Sequence, residues 1–287
     1  MAAPTDGDLL GRDHPEAGGV RTAGGLRTLG AVMLERRWPV TLAFVALVVG
    51  AWELWGALGR LPRYVLAPHA IGAALVEHLA DGTLGDPTLS SLQRLGVGFA
   101  LGTAAGVLLG LLAGVNRVAE DVADPVVSLT YPLPKIALFP AIAVWLGYTD
   151  QARILVIALG CFYPAFVNAL SGTRTVDRQL LWVAANAGAG RVRAFFQVVL
   201  PAALPRILVG VRVSLALAYV LLFSTEAIAS REGLGHLIDD SYLNVNYELM
   251  YASIVLLALL GFVSDRIVVA IGDRLTRGHT IEAVGRA

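Results

Sequence analysis

Long apolar blocks alternate along the chain with shorter polar ones. Six blocks approach the ~20 apolar residues that cross a bilayer core as a helix: 38–58, 91–114, 125–147, 151–171, 205–229 and 250–272. Between the fourth and fifth lies a long, moderately polar, arginine-bearing insert, residues 173–204, itself patterned for short helices. Asp177 stands where an N-cap would, and Leu180, Leu181, Ala184 and Ala187 follow at helical spacing. Gly188 and Gly190 are expected to stop that helix, because glycine reaches the left-handed conformation of a C-terminal cap. Arg191 to Leu200 is expected to form a second short helix closed by Pro201. The product is a helix–turn–helix projecting from a membrane, a shape that suits docking into a cleft on another protein. An ordinary loop is the plainer alternative.

The pattern divides the chain into three parts. Residues 1–35 lack a sustained apolar period and are expected to form a disordered tail. Residues 36–275 hold the six helices and the 173–204 insert, and 276–287 form a C-terminal tail. If the first tail is cytoplasmic, so are the 173–204 insert and the C-terminus. Arginines agree, since the segments then outside hold only Arg60, Arg63 and Arg231, and the inner ones hold most of the rest.

Several spans carry features beyond hydrophobicity. The second places Gly98, Gly102, Gly106, Gly110 and Gly114 four apart, which lets another helix approach closely, either within the subunit or across a subunit seam. The third contains Pro132, Pro134, Lys135 and Pro140. Each proline removes a backbone donor, and irregular backbone at membrane depth needs protein or a water-filled cavity around it. A mid-span lysine costs at least ~2.5 kcal/mol unless it finds such surroundings. A bent helix lining a translocation path accounts for both, with Tyr163, next to Pro164 in the fourth span, and Glu226 in the fifth as further path residues; a structural kink is the alternative. Charges within spans survive by pairing. Counted from each face, Arg94 can meet Glu226 and Arg212 can meet Asp265, as structural bridges or as a gate.

Composition narrows the class. With 56% hydrophobic and 15% charged residues among 287, the chain reads as a polytopic membrane protein. Its 22 basic residues balance 22 acidic ones, so no nucleic-acid partner is implied. A lone Cys161 excludes a disulfide framework and a cysteine metal site. The only lysine, Lys135, is flanked by Pro134 and Ile136, so no P-loop is present and ATP hydrolysis by that route is excluded. There is no H-E-x-x-H pair and no G-x-S-x-G elbow. We therefore expect no catalytic residues, no metal and no cofactor in this chain.

Gly188, Val198 and the Leu200-Pro201 step, at their mutual spacing and between two apolar spans, resemble the EAA-loop signature of binding-protein-dependent ABC importer permeases. The opening Glu-Ala-Ala of that signature falls here on Trp182, Val183 and Ala184, so its glutamate contact is not carried over. With Pro132-Leu133-Pro134-Lys135 and Trp145-Leu146-Gly147, the chain is most similar to the nitrate, sulfonate, taurine and bicarbonate branch. The resemblance implies an all-α integral membrane protein of six transmembrane helices, with a cytoplasmic coupling helix between helices 4 and 5. Ala184, Ala185, Gly188, Ala189, Val198, Leu200 and Pro201 would engage the ATPase.

The same resemblance implies two ATPase subunits carrying ATP-Mg, an extracytoplasmic solute-binding protein, and a permease homodimer. It places the chain in the bacterial inner membrane with both termini in the cytoplasm. The expected function is transport of a small anion of aliphatic sulfonate, taurine, nitrate or bicarbonate type. Thiamine-precursor pyrimidines or riboflavin are the alternative solutes. An ion-coupled secondary transporter using Lys135, Glu226 and Asp265 is the alternative from another class, and it predicts inverted repeats, which the sequence does not display.

Overall fold

The computed structural model describes residues 25–130 and 132–276, and it divides into two units, Met1–Trp55 and Gly56–Ala287. The first unit is carried by helix α1 (Gly25–Ala57), of which Pro39–Ala57 is long and apolar enough to cross a membrane. Helix α1 thus begins inside the stretch expected to be a tail. Leu26, Leu29 and Met33 recur there at helical spacing, a period too short to have stood out from the sequence. The remainder of that tail, residues 1–24, and the C-terminal residues 277–287 lie outside the described residues.

In the second unit the packing centre is made by α3 (Gly85–Val115), α6 (Asp150–Arg174) and α9 (Leu200–Ala229). The glycine stripe of α3 packs within the chain, against α6. A Cβ at Gly102 would overlap the Ala158 carbonyl, and one at Gly106 or Gly110 the carbonyls of Phe162 or Phe166. Small residues thereby bring two helix backbones into contact, which substitutes for the hydrophobic drive that lipid cannot supply. The buried core around this seam includes Leu95, Phe139, Val156, Ile157, Cys161 and Leu222. Ser214 and Cys161 lock α9 to α6, with the Ser214 hydroxyl donating to the Cys161 carbonyl at 2.7 Å.

The third expected span is not one helix. It is split into α4 (Arg117–Thr130), a single 3₁₀ turn (Lys135–Leu138) and α5 (Phe139–Leu146), with an 85° bend between the two halves. Pro134 sits in an extended conformation ahead of the turn, and Pro132 likewise has no N–H to continue α4. Pro140 acts differently, since it occupies the first turn of α5, where a missing donor costs nothing. The polar stretch before this span is the start of α4, capped by Asn116, whose side-chain oxygen accepts from the Val118 amide at 3.0 Å. Among the described residues, five helices are long and apolar enough to cross a membrane, or six if this bent pair counts as one span.

After α6 come α7 (Arg178–Asn186) and α8 (Arg191–Ala194). Pro201 does not close the helix that follows Gly190. Instead α8 passes through a π turn, Phe195–Val199, into α9, and Arg191–Ile228 is one 38-residue helical run. The Leu200 amide reaches back five residues to the Phe195 carbonyl, and this widened turn absorbs a proline that has no N–H to give. The described residues end with α10 (Leu234–Leu243) and α11 (Tyr247–Thr276), α11 packing on α9, α10 and the short α2 (Pro68–Ala80).

Candidate coupling surface, path and ion-pair node

Two ends of the unit are chemically distinct, one carrying Gly188 and the other carrying Gly233. At the Gly188 end, the Asp177 carboxylate caps α7 by accepting from the Gln179 amide at 2.8 Å. The far end of α7 is a Schellman turn, in which the Ala189 amide donates to the Ala184 carbonyl at 2.9 Å and the Gly188 amide to Ala185 at 3.0 Å. Gly188 holds φ +77°, the left-handed conformation that only glycine adopts without strain. Gly190 is not a second stop; it precedes α8 as its N-cap.

Among the residues singled out from the sequence, Ala185 and Gly188 are exposed on this turn, with Ala184 and Ala189 half-buried behind them. Val198, Leu200 and Pro201 are half-buried at the base of α9, where Leu200 packs on a core of Leu111, Ala169, Ala203 and Ile207. The exposed apolar surface of the turn is instead Leu180, Trp182, Val183, Val192 and Phe196, with Trp182 68% and Phe196 61% exposed. Of these only Leu180 was drawn from periodicity. The signal available for the others was bulky apolar residues, Trp182 and Phe196 foremost, set among alanines and arginines between two apolar blocks.

Midway along the bundle, the 3₁₀ turn, α6 and α9 enclose a cavity of about 400 Å³. It brings together Lys135 and Tyr163, the Lys135 ammonium lying 4.2 Å above the centre of the Tyr163 ring. Lys135 Nζ also donates to the Thr130 carbonyl at 3.0 Å. Leu133 lines the cavity between Pro132 and Pro134, which are themselves exposed and do not. Glu226 does not line it either.

Glu226 lies at the Gly233 end, completely buried, with both carboxylate oxygens occupied. Arg94 Nη1 donates to it at 2.8 Å, the Ser91 hydroxyl at 2.8 and 2.9 Å to its two oxygens, and the Gly235 amide at 2.9 Å. Arg94 further donates through Nε to Asp150 at 2.8 Å and through Nη1 to the Glu232 carbonyl at 2.8 Å. Arg153 joins from the next turn of α6, donating to the same Asp150 oxygen at 3.0 Å. The node therefore ties α3, α6, α9 and the start of α10. Arg212 and Asp265, the second pair expected from the sequence, are doubly bonded at 2.6 and 3.0 Å between α9 and α11, with Arg266 also on Asp265 at 2.7 Å. Among the described residues no group of three or more His, Cys, Asp or Glu side chains could hold a metal.

The described residues form a helical unit with several helices long and apolar enough to cross a membrane, and the comparisons say of which family it is. Residues 106–277 match the family described as binding-protein-dependent transport system inner membrane component, and the chain belongs to that family. It is 33% identical over 232 residues to a Bacillus subtilis protein described as an aliphatic sulfonates transport permease (SsuC), covering 80% of this chain and 84% of the relative. It is 28% identical over 259 residues to the taurine transport system permease protein TauC of Escherichia coli, covering 86% and 94%. Among solved structures, a chain of the MetNI methionine ABC transporter in an inward-facing conformation superposes with a TM-score of 0.54 at 21% identity, over 66% of this chain and 93% of that one. That last likeness concerns the fold.

Proposed function

We propose that this chain is the permease subunit of an ATP-driven importer for a small anion of the sulfonate or taurine type. It spans the bacterial inner membrane six times, the bent α4–α5 pair counting as the third crossing. Both termini and the α7–α8 turn lie in the cytoplasm, as the arginine bias requires. The turn is the coupling helix. Its Leu180, Trp182, Val183 and Phe196 present exposed apolar surface, the kind that marks a protein partner. Two ATPase subunits would bind two such turns, one from each copy of a permease homodimer, and hydrolyse ATP-Mg on their own residues. A solute-binding protein would deliver cargo at the Gly233 end.

One observation carries this reading. The turn is not tethered to the bundle by a flexible link, because Arg191–Ile228 runs as a single helix from the apolar patch, past the Lys135 cavity, to the Glu226 node. A displacement of the turn by the ATPase is thereby delivered to the cavity wall as motion of one rod. Val198, Leu200 and Pro201 serve as the base of that rod, and Lys135 and Tyr163 line the path. The Arg94–Glu226 and Arg212–Asp265 contacts hold the helices in register.

Purification from the native membrane in mild detergent tests the assignment. A stoichiometric P-loop ATPase should accompany the chain and be lost from the Trp182→Ala/Phe196→Ala variant. A preparation of the wild-type chain with no ATPase contradicts it.

A further inference from the structure

Residues 178–197, which carry the α7–α8 turn, hold three arginines and no acidic residue. Arg178, Arg191 and Arg193 are all exposed, as are Trp182, Val192 and Phe196. Arg178 precedes Trp182 by one helical turn and so shares its face of α7, and Arg191 and Arg193 flank Val192. Arg193 donates to Gln197 at 3.0 Å, whereas Arg178 and Arg191 bond to no other described residue. The neighbouring carboxylate, Asp177, accepts from the Gln179 amide as the cap of α7. Arg178 is the first residue of α7, and Arg191 the first of the helical run that continues to Ile228. A helix N-terminus carries partial positive charge, so a cation is unfavourable there and a carboxylate favourable. Neither local stability nor an internal ion pair accounts for a guanidinium at either place. Both instead add to the positive helix ends and make the exposed surface beside the aromatic residues cationic.

We infer that the turn docks in an ATPase groove of particular chemistry, an apolar floor for Trp182 and Phe196 bordered by carboxylates that face Arg178 and Arg191. The inference rests on the coupling-turn reading above and adds the property by which this permease chooses its ATPase. Charges at the rim of an interface govern encounter and partner choice, while buried aromatics govern how long the complex lasts. The arginines therefore set association and the aromatics set dissociation. An ATPase whose groove is bordered by Lys or Arg is refused, because like charges meet across the contact.

The test measures binding of the co-purified ATPase to the full-length permease in detergent, at low and at high salt. Association with the wild-type chain should slow as salt rises, since salt screens exposed charges. Arg178→Gln/Arg191→Gln should slow association at low salt by about tenfold and lose most of the salt dependence, with dissociation unchanged. Trp182→Ala/Phe196→Ala should instead speed dissociation. Arg178→Glu/Arg191→Glu should capture the least ATPase of all. Glutamate at the first helical position favours the helix, so the Tm of that variant should match or exceed wild type, which separates lost docking from lost folding. Association indifferent to salt and to both arginine variants overturns the carboxylate rim and leaves the coupling turn standing. A defect of those variants that appears only in bilayers of anionic phospholipid, with capture in detergent unchanged, also overturns the rim and assigns the arginines to the membrane surface. A wild-type chain that binds no ATPase overturns the coupling reading together with the rim.

Discussion

Arg94 and Glu226 stand 132 positions apart in the chain and meet at 2.8 Å in a site from which solvent is excluded. The carboxylate has no exposed surface, and its charge is held by the guanidinium, the Ser91 hydroxyl and the Gly235 amide. Removing one partner of such a pair leaves a buried charge without compensation, which costs ~3–5 kcal/mol. Arg94→Met is therefore expected to lower the Tm of the detergent-solubilised chain strongly. Glu226→Gln, which keeps the shape and one acceptor, should cost less, ~1–3 kcal/mol. An Arg94→Met protein as stable as wild type contradicts the account of the node.

The Arg212–Asp265 contact should behave differently. Arg212 is half exposed, and Asp265 keeps Arg266 at 2.7 Å when Arg212 is lost. Arg212→Gln is expected to shift the Tm less than Arg94→Met, because Arg266 remains to hold the Asp265 carboxylate. A Tm comparison of the two arginine variants under one set of conditions decides between a structural node and two equivalent bridges.

The α3–α6 seam gives a sharper contrast within one helix. At Gly102 an added Cβ would overlap the Ala158 backbone, whereas at Gly96 nothing lies within 4 Å. Gly102→Ala should destabilise by ~1–3 kcal/mol through overpacking. Gly96→Ala should be neutral or gain up to ~1 kcal/mol of helix propensity. Thermal melts of the two variants check this, and equal effects contradict the seam.

Much of this was readable in the chain, and the parts that were not have common causes. Spans follow from length and hydrophobicity, because a bilayer admits only segments that satisfy their own backbone. The Arg94–Glu226 and Arg212–Asp265 contacts follow from counting depth, because charge within a span must find charge. Ser91 and the Gly235 amide in the node were not readable, since a hydroxyl and a backbone N–H leave no distinctive residue type at a distinctive spacing. Prolines were informative once and misleading once. Pro132 and Pro134 bend the third span, as expected, whereas Pro201 sits inside a helix where a stop was expected, because the π turn before it depends on backbone geometry. The exposed Trp182 and Phe196 were overlooked since the recognisable residues of the loop are its small ones.

The coupling turn separates function from stability. Trp182 and Phe196 are largely exposed, so replacing both by Ala should change stability by no more than ~0.5 kcal/mol at each site. Bulky aromatics in an interface nevertheless contribute ~2 kcal/mol or more each, and ATPase capture should fall by more than ~10-fold. Retention of the ATPase by the doubly substituted chain places the docking surface elsewhere.

Gly188 tests the geometry of the same turn. At φ +77° with no neighbour within 4 Å, a side chain there meets no atom, and the cost is in the backbone alone. That cost is ~1–2 kcal/mol for most residues and smaller for asparagine, which visits the left-handed region. Gly188→Val should lose ATPase capture while Gly188→Asn keeps most of it. Equal capture by both contradicts a requirement for the left-handed turn.

The central claim is that ATP hydrolysis on a partner, transmitted through the α7–α8 turn and the helix that continues from it, drives solute across this chain. Uptake of labelled ethanesulfonate and taurine into proteoliposomes tests it most directly, with binding protein outside, ATPase and ATP inside, and ion gradients collapsed by ionophores. Uptake that requires ATP, survives the ionophores and disappears in Gly188→Val is the predicted result. Uptake without ATP that follows an imposed ion gradient contradicts the claim and points to an ion-coupled carrier.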